Sequence, residues 1–501
     1  MSNPKQSNGD ALHQNKELNL TSSYSYLIPS NQRLPYPRDL VLTYACSRRS
    51  NRQTTPISDI ASVIHHGGKH TVTGSCHELK LPHDSILIDC GLFQGKDIHF
   101  GNRKASLDIE FPVKHIKALV LTHAHIDHIG RLPWLLAAGF KGPIYCTKAT
   151  AELVPLMLED GLKLQLGLNY HQRQQVLNVI KKQLKPHDYQ QWLPLGKQCY
   201  LRFQPAGHIL GSAYVEFKLP NHEIIVFSGD LGPSNTPLLP DPKTPKRADY
   251  LFIESTYGNK EHEDIATRTE RLNAIIDHAL QDGGVILIPA FSVGRTQELL
   301  FDIEQLIHQR DLSSSLPIIL DSPLAKRVTK TYRRFKKLWG KEAKQKLTNH
   351  RHPLAFEQCI TVENHLEHQA LVNRLASTDE PAIVVAASGM CEGGRIVNYL
   401  KALLPDERND VLFAGYQAQG TLGREIQSGS HTVDIDNQPI EANAQIHTIS
   451  GYSAHADQSD LLKFVTGIPA QPKAVHLIHG EKEAKKELGE KLEAEGIEVV
   501  Y

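Results

Sequence analysis

Between about residue 60 and residue 245 the chain alternates short apolar runs with polar, glycine-marked turns. The runs at 85–88, 116–121 and 224–227 are compact and apolar, which predicts buried strands, and 199–203 is also strand-like. A helix is expected at 131–136, straight after Gly130, and one long helical stretch at 150–184. From Glu254 to about Asp410 the rhythm changes. Helical periodicity at 268–280, 296–309 and 324–338 alternates with apolar runs at 285–288, 317–320 and 382–386, so a parallel α/β unit of its own is predicted there. The linker-like segment 240–246 precedes that unit, and the chain is expected to return to the first lobe through 411–415. A last apolar run lies at 474–478. The organisation that follows is a polar extension over 1–58, a first lobe over 59–250, an inserted lobe over 251–410 and the remainder of the first lobe over 411–501.

Composition narrows the class. A length of 501 residues is ample for large cores and suggests two or three domains. Forty per cent hydrophobic and 22% charged residues, without a low-complexity tract, are the values of ordinary soluble proteins. No run of about 18 apolar residues occurs, so no membrane partner is expected. The first ten residues lack the apolar core of a signal peptide. Seven scattered cysteines without a close CxxC pair argue against a disulfide framework. A cytoplasmic location is therefore expected. Fifty-five basic residues balance 55 acidic ones, which removes any global basic signal for nucleic acid. Locally, ten Lys or Arg between Lys326 and Lys346 face one acid, Glu342. Val328, Tyr332, Phe335 and Trp339 fall at helical spacing as a buried stripe, leaving a basic face that either neutralises RNA phosphates or is simply solvated.

The chemistry is concentrated where strands end. His123, His125, Asp127 and His128 lie within six positions, directly after the run at 116–121. Imidazole and carboxylate are the ligands of zinc and its neighbours. The same address recurs: Asp89 after 85–88, His208 between Gly207 and Gly211 after 199–203, Asp230 after 224–227, and His479 after 474–478. A histidine-rich surface loop is the alternative in a chain with 27 His. It does not account for five strand ends of the same kind. Two metals roughly 3.5–4 Å apart can share a hydroxide and clamp a phosphodiester for in-line attack. Asp89 fits a residue that holds a histidine ligand rather than a ligand itself.

These motifs resemble those of metallo-β-lactamase-fold hydrolases, and more closely the β-CASP branch, the nucleases of the cleavage-and-polyadenylation-factor and ribonuclease J kind. The three extra motifs of that branch match Glu254 in Phe-Ile-Glu-Ser-Thr, His455 in Gly-Tyr-Ser-Ala-His-Ala-Asp, and His479 in Leu-Ile-His-Gly-Glu. The segments at 71–77, 288–297 and 415–423 are also similar, and the likeness runs from about residue 60 to the C-terminus. The resemblance implies an α/β fold: a metallo-β-lactamase αββα sandwich with an inserted parallel β-CASP domain, leaving a cleft between two lobes. It implies two zinc ions per chain, one held by His123, His125 and His208, the other by Asp127, His128 and His479, with Asp230 bridging.

In the same way His455 is expected to protonate the leaving oxygen, with Glu254 tuning or orienting it and Asp127 counted among the catalytic residues. Ser292 with Arg295, and Ser388 with Gly389, lie in strand-to-helix loops suited to phosphate. The expected activity is zinc-dependent hydrolysis of single-stranded RNA by a two-metal-activated hydroxide, endonucleolytic, 5′-exonucleolytic or both, giving 3′-hydroxyl and 5′-phosphate ends. RNA is expected over DNA because DNA-directed members typically carry valine in place of His479. The alternatives are a thioester or lactam hydrolase of the same fold and a catalytically silent RNA-binding scaffold. No KH-like domain is read ahead of the core and none after it, which leaves substrate selection and a homodimer open.

Overall fold

The computed structural model describes residues 54–501 apart from 101–102, 105–106, 197–198, 311–315 and 416. Two seven-stranded sheets face each other. The first has the strand order Thr54–Ser58, Ala61–Gly67, Cys76–Lys80, Ser85–Ile88, Ile116–Val120, Ile144–Thr147, Leu184–His187. The second runs Leu193–Leu195, Cys199–Pro205, Ala213–Lys218, Ile224–Phe227, Tyr250–Glu254, Ala474–Ile478, Val499–Val500. Leu79, Ile86, Ile88 and Val120 from one sheet pack on Leu201, Phe203, Val215, Phe217 and Phe227 from the other. The period-2 alternation puts Arg202, Gln204 and Glu216 on the opposite face, where Arg202 and Gln204 both donate to Glu216.

Helices Lys148–Leu166 and Tyr170–Gln183 cover the outside of the first sheet. Gln458–Thr466 and Lys482–Ala494 cover the outside of the second, which completes an αββα sandwich. The single helical stretch expected at 150–184 is in fact these first two helices. Gly167 ends one of them in the left-handed region at φ 58°, and Asn169 with Gln172 closes a capping box on the next. The apolar stripe continues across the break, so periodicity alone does not show it.

The insertion forms a third sheet of six strands, all parallel, in the order Cys359–Thr361, Ile318–Asp321, Ala382–Ala386, Val285–Pro289, Asp410–Phe413, Gln445–Thr448. Two boundaries differ from expectation. Asp410–Phe413 pairs with Val285–Pro289 and then with Gln445–Thr448, so the inserted sheet runs to Thr448 instead of ending at 410. The run at 411–415 is as apolar as a sandwich strand, and hydropathy does not say which sheet a strand joins. At the other end, Thr54–Ser58 is already an edge strand, paired antiparallel with Ala61–Gly67. The expected extension therefore gives up its last five positions to the sandwich, and residues 1–53 lie outside the described residues. No helix among the described residues is long and apolar enough to cross a membrane.

Strand direction gathers the loops. Ile224–Phe227, Tyr250–Glu254 and Ala474–Ile478 are mutually parallel, with Glu254 beside Ile478. Ser85–Ile88 and Ile116–Val120 are parallel in the first sheet. Their carboxyl ends open onto one edge of the sandwich, the place where α/β sites form, and the inserted lobe stands over that edge.

Candidate metal centre and cleft

Four residues close one group. Nδ1 of His125 lies 3.1 Å from Nε2 of His123 and 2.9 Å from Nε2 of His208, and Oδ2 of Asp230 is 3.5 Å from Nε2 of both His123 and His208. A second group shares the same aspartate. Nε2 of His128 is 3.1 Å from Asp230 Oδ1 and 3.6 Å from Asp127 Oδ2, and His479 Nε2 is 3.5 and 3.8 Å from the same two oxygens. Tetrahedral zinc with bonds of about 2.0–2.1 Å needs ligand atoms about 3.3 Å apart, which is the spacing found. His128 Nε2, Asp230 Oδ1 and both ring nitrogens of His479 are buried without a hydrogen-bond partner. Of these, His128 Nε2, Asp230 Oδ1 and His479 Nε2 meet at one point, where orphaned atoms are costly unless a cation satisfies them. The donor set fits metal, and the chain has the means to bind it.

The ring tautomers are fixed from behind. His128 donates Nδ1–H to Asp89 Oδ2 at 2.7 Å, which turns Nε2 to the centre. Asp89 also accepts from Thr122 N and from Thr122 Oγ1, and Thr122 Oγ1 in turn is 3.1 Å from His123 Nδ1. His208 donates Nδ1–H to the Ala454 carbonyl. Burial drives His125 and His479 down to about 3, so both are neutral with a lone pair to offer. Two positions carry backbone strain that apolar patterning cannot announce: Asp89 at φ 59° and His479 at φ 49°. Gly91 is required by approach, since a Cβ there would stand 1.5 Å from the Asp127 carbonyl oxygen.

His455 and Glu254 sit beside these groups. His455 Nδ1 is 3.1–3.2 Å from both Glu254 oxygens, and its Nε2 is 4.0 Å from Asp230 Oδ2. Burial opposes protonation of His455, but the charge of Glu254 and its hydrogen bond, followed by Asp230 and Asp127, lift it to about 9. Glu254 is fully buried and also accepts from Leu231 N at 2.7 Å.

The cleft between the lobes has a volume of about 390 Å³ and is lined by His125, Asp127, His208 and His455 on one side. Ser292, Arg295, Ser388 and Gly389 line the other, so all four residues expected to meet phosphate reach it. Arg295 Nε and Ser388 Oγ are buried with no hydrogen-bond partner among the described residues. Val328, Tyr332 and Trp339 form the buried stripe as expected, with Phe335 half-buried. Part of the basic face has a different use. Arg327 and Arg334 pair with Glu159 and Glu152 of the sandwich helix Lys148–Leu166, while Lys326 pairs with Glu363.

Sequence patterning missed the residues by which the insertion props the centre. The Val293 backbone hydrogen-bonds to His125, and Tyr332 OH accepts from Leu210 N at 3.0 Å, two residues beyond His208. Buried Arg268 donates to the Gly451 carbonyl and to Asp302, and its guanidinium lies 4.7 Å over the Tyr452 ring, which clamps the loop carrying His455. His262 is hydrogen-bonded to the His455 carbonyl. Thr122 could have been suspected from its place directly before His123; Arg268 and Tyr332 lie far from any motif.

Sequence comparison agrees with this geometry. Residues 72–267 match the metallo-beta-lactamase superfamily, 296–426 the Beta-Casp domain, and 439–501 the Zn-dependent metallo-hydrolase RNA specificity domain. The chain belongs to the metallo-β-lactamase/β-CASP ribonuclease family, a group of metal-dependent hydrolases. It is 37% identical to Ribonuclease TTHA0252 of Thermus thermophilus over 437 residues, 87% of this chain and 97% of that one. It is 32% identical to transcription termination factor FttA of Methanocaldococcus jannaschii over 83% of this chain and 66% of that protein, and 31% identical to FttA of Methanosarcina mazei over 87% and 69%.

Proposed function

We propose that this chain is a zinc ribonuclease that hydrolyses single-stranded RNA and leaves 3′-hydroxyl and 5′-phosphate ends. The observation that carries the reading is Asp230, whose two oxygens face two different ligand groups: Oδ2 toward His123 and His208, Oδ1 toward His128 and His479. His123, His125 and His208 would hold one zinc, Asp127, His128 and His479 the other, with Asp230 shared and Asp89 fixing the His128 ring. Such a pair, when bound, lowers the pKa of the attacking water and neutralises the non-bridging phosphate oxygens.

The remaining work falls to the protein's own groups. His455, its Nδ1–H given to Glu254, delivers the proton on Nε2 to the 3′-oxygen as the P–O3′ bond breaks. Arg295 and Ser388 supply unsatisfied donors to the scissile phosphate or its neighbours, while Asp127 faces the same cleft. The name of the Thermus relative, and the RNA specificity match at 439–501, favour RNA as substrate. A scaffold lacking catalysis has no need of seven ligand-type residues converging on one centre, and a small-molecule hydrolase none of a second lobe closing over it.

Labelled single-stranded RNA incubated with zinc-loaded protein tests this. Cleavage to 5′-phosphate products, abolished by chelator, restored by zinc and much slower on DNA of the same sequence, is expected. No cleavage by zinc-loaded protein, or products ending in a 2′,3′-cyclic phosphate, would overturn it.

A further inference from the structure

We infer a second RNA contact outside the cleft, a basic hollow with an aromatic wall on the outer face of the second sheet, formed by Trp192, Arg202, Lys218, His222, Lys246 and Arg247, which takes one nucleotide of the strand being cut. The inference rests on the ribonuclease reading above. The hollow has a volume of about 370 Å³, within the range of small-ligand sites.

Its construction follows from register. Leu193 pairs with Leu201, and Tyr200 with Lys218. Leu201 and Phe217 face the core, so the pleat turns Tyr200, Arg202 and Lys218 outward together. Arg202, tied to Glu216, lays its guanidinium 4.3 Å over the Trp192 ring. Trp192 is 36% exposed and Tyr200 49%, whereas Trp134 and Trp339 are buried. Among the described residues no acid lines the hollow. Arg247 is matched by Asp249 and Arg202 by Glu216, and no salt bridge among the described residues engages Lys218 or Lys246, which sets the local balance positive.

In a chain of zero net charge, a local excess of cations beside a half-exposed indole is the chemistry of single-strand binding. The base stacks on the ring, and the flanking phosphates meet the lysines. An acidic peptide would satisfy the lysines but bring no base to stack on the face of the indole that Arg202 leaves open. Arg202 lies six residues before His208, and Ile224 and Arg247 stand at or just before the starts of the strands whose far ends lead to Asp230 and carry Glu254, an interval of roughly 20 Å at the strand rise. The hollow therefore stands along the sheet from the catalytic cleft, where it engages RNA long enough to reach beyond the cleft.

Tryptophan fluorescence of the full zinc-loaded chain reads the contact directly, because Trp192 is the exposed indole of the three. Stopped-flow mixing with oligouridylate, ahead of turnover, should give saturable quenching that Trp192→Leu abolishes. Lys218→Gln with Lys246→Gln should weaken binding of a long oligouridylate about tenfold and flatten its salt dependence. Both variants should raise KM for long RNA and leave cleavage of an oligonucleotide that fills only the cleft unchanged. Quenching that survives Trp192→Leu, or long-RNA KM values equal to the wild type in both variants, would overturn the contact. Loss of binding in the lysine variant alone would also overturn it, since it would leave attraction of phosphate without a nucleotide site. If the wild type binds and quenches but cuts no RNA, the ribonuclease reading fails while the nucleotide contact at Trp192 stands as RNA binding alone.

Discussion

In the sandwich, three histidines of the metal groups have their rear nitrogen engaged, His128 with Asp89, His208 with the Ala454 carbonyl and His123 with Thr122, whereas His479 has neither ring nitrogen hydrogen-bonded among the described residues. In the insertion, two groups that line the same cleft, Arg295 Nε and Ser388 Oγ, are buried with no hydrogen-bond partner among the described residues, while Ser292 Oγ lies 3.2 Å from Ser322 Oγ. A coordination site has to be rigid, with each ring locked in one tautomer and one orientation. A substrate site has to keep donors free for the ligand, and the cost of leaving them unpaired is recovered when phosphate arrives. The insertion also stiffens the sandwich's half of the site, through the Val293 backbone on His125, Tyr332 on the His208 loop and Arg268 on the loop of His455.

The sharpest break of this comparison is at the residue both metal groups share. Asp230→Ala should lose both zinc ions and fall to the activity of chelated protein, measured by metal analysis and RNA cleavage on the same sample. His479→Ala should loosen one ion and keep the other, because the His123, His125 and His208 group remains intact. Equal loss of both metals in the His479 variant would count against two separable sites.

His455→Ala comes next. If His455 donates the proton and holds no metal, as proposed, zinc content and RNA affinity should hold while the rate falls by about 10²–10⁴. A substrate with sulfur in place of the departing 3′-oxygen needs little protonation and should recover much of that loss. Zinc lost together with activity would move His455 into the metal site.

On the insertion side, Arg295→Met should keep both metals and cost about ten- to a hundredfold in kcat/KM, the worth of one or two hydrogen bonds to a charged group. Ser388→Ala should cost less. An Arg295 variant that loses metal would end the distinction between a coordinating lobe and a substrate-facing lobe.

The two lobes were not equally legible in the sequence. Metal-site residues announced themselves because ligand types are rare at strand ends, and His123, His125, Asp127 and His128 crowd one loop. The third sheet's strands at 285–288, 317–320 and 382–386 were visible as apolar runs between helical periods. What stayed hidden depends on partners distant in the chain. Arg268 sits on an ordinary amphipathic helix, and only folding brings it under Gly451. The break at Gly167 was masked by a continuous apolar stripe. Strands 410–413 and 445–448 could not be assigned to a sheet from hydropathy. The basic stretch after Lys326 carried no sign that Arg327 and Arg334 would pair with Glu159 and Glu152.

The smallest expected effect lies behind the clamp on the His455 loop. Glu298, one turn along the helix from Arg295, has a buried oxygen without a partner. Burial pushes its carboxyl up to about 8 from an ordinary 4.5; Arg268 opposes the shift, while Asp302 and Glu342 add to it. The folded state therefore keeps a proton that the unfolded chain releases above about 4.5. The stability this proton confers is complete below that pH, and it declines as pH rises toward about 8. Glu298→Gln holds a neutral group of the same shape at every pH. Its melting temperature should match the wild type near pH 4 and exceed it near pH 8, read by thermal melts of zinc-loaded protein at the two pH values. A wild type that gains on the variant as pH rises would mean that Glu298 is ionised in the fold, with Arg268 as its counter-ion rather than as the holder of the His455 loop.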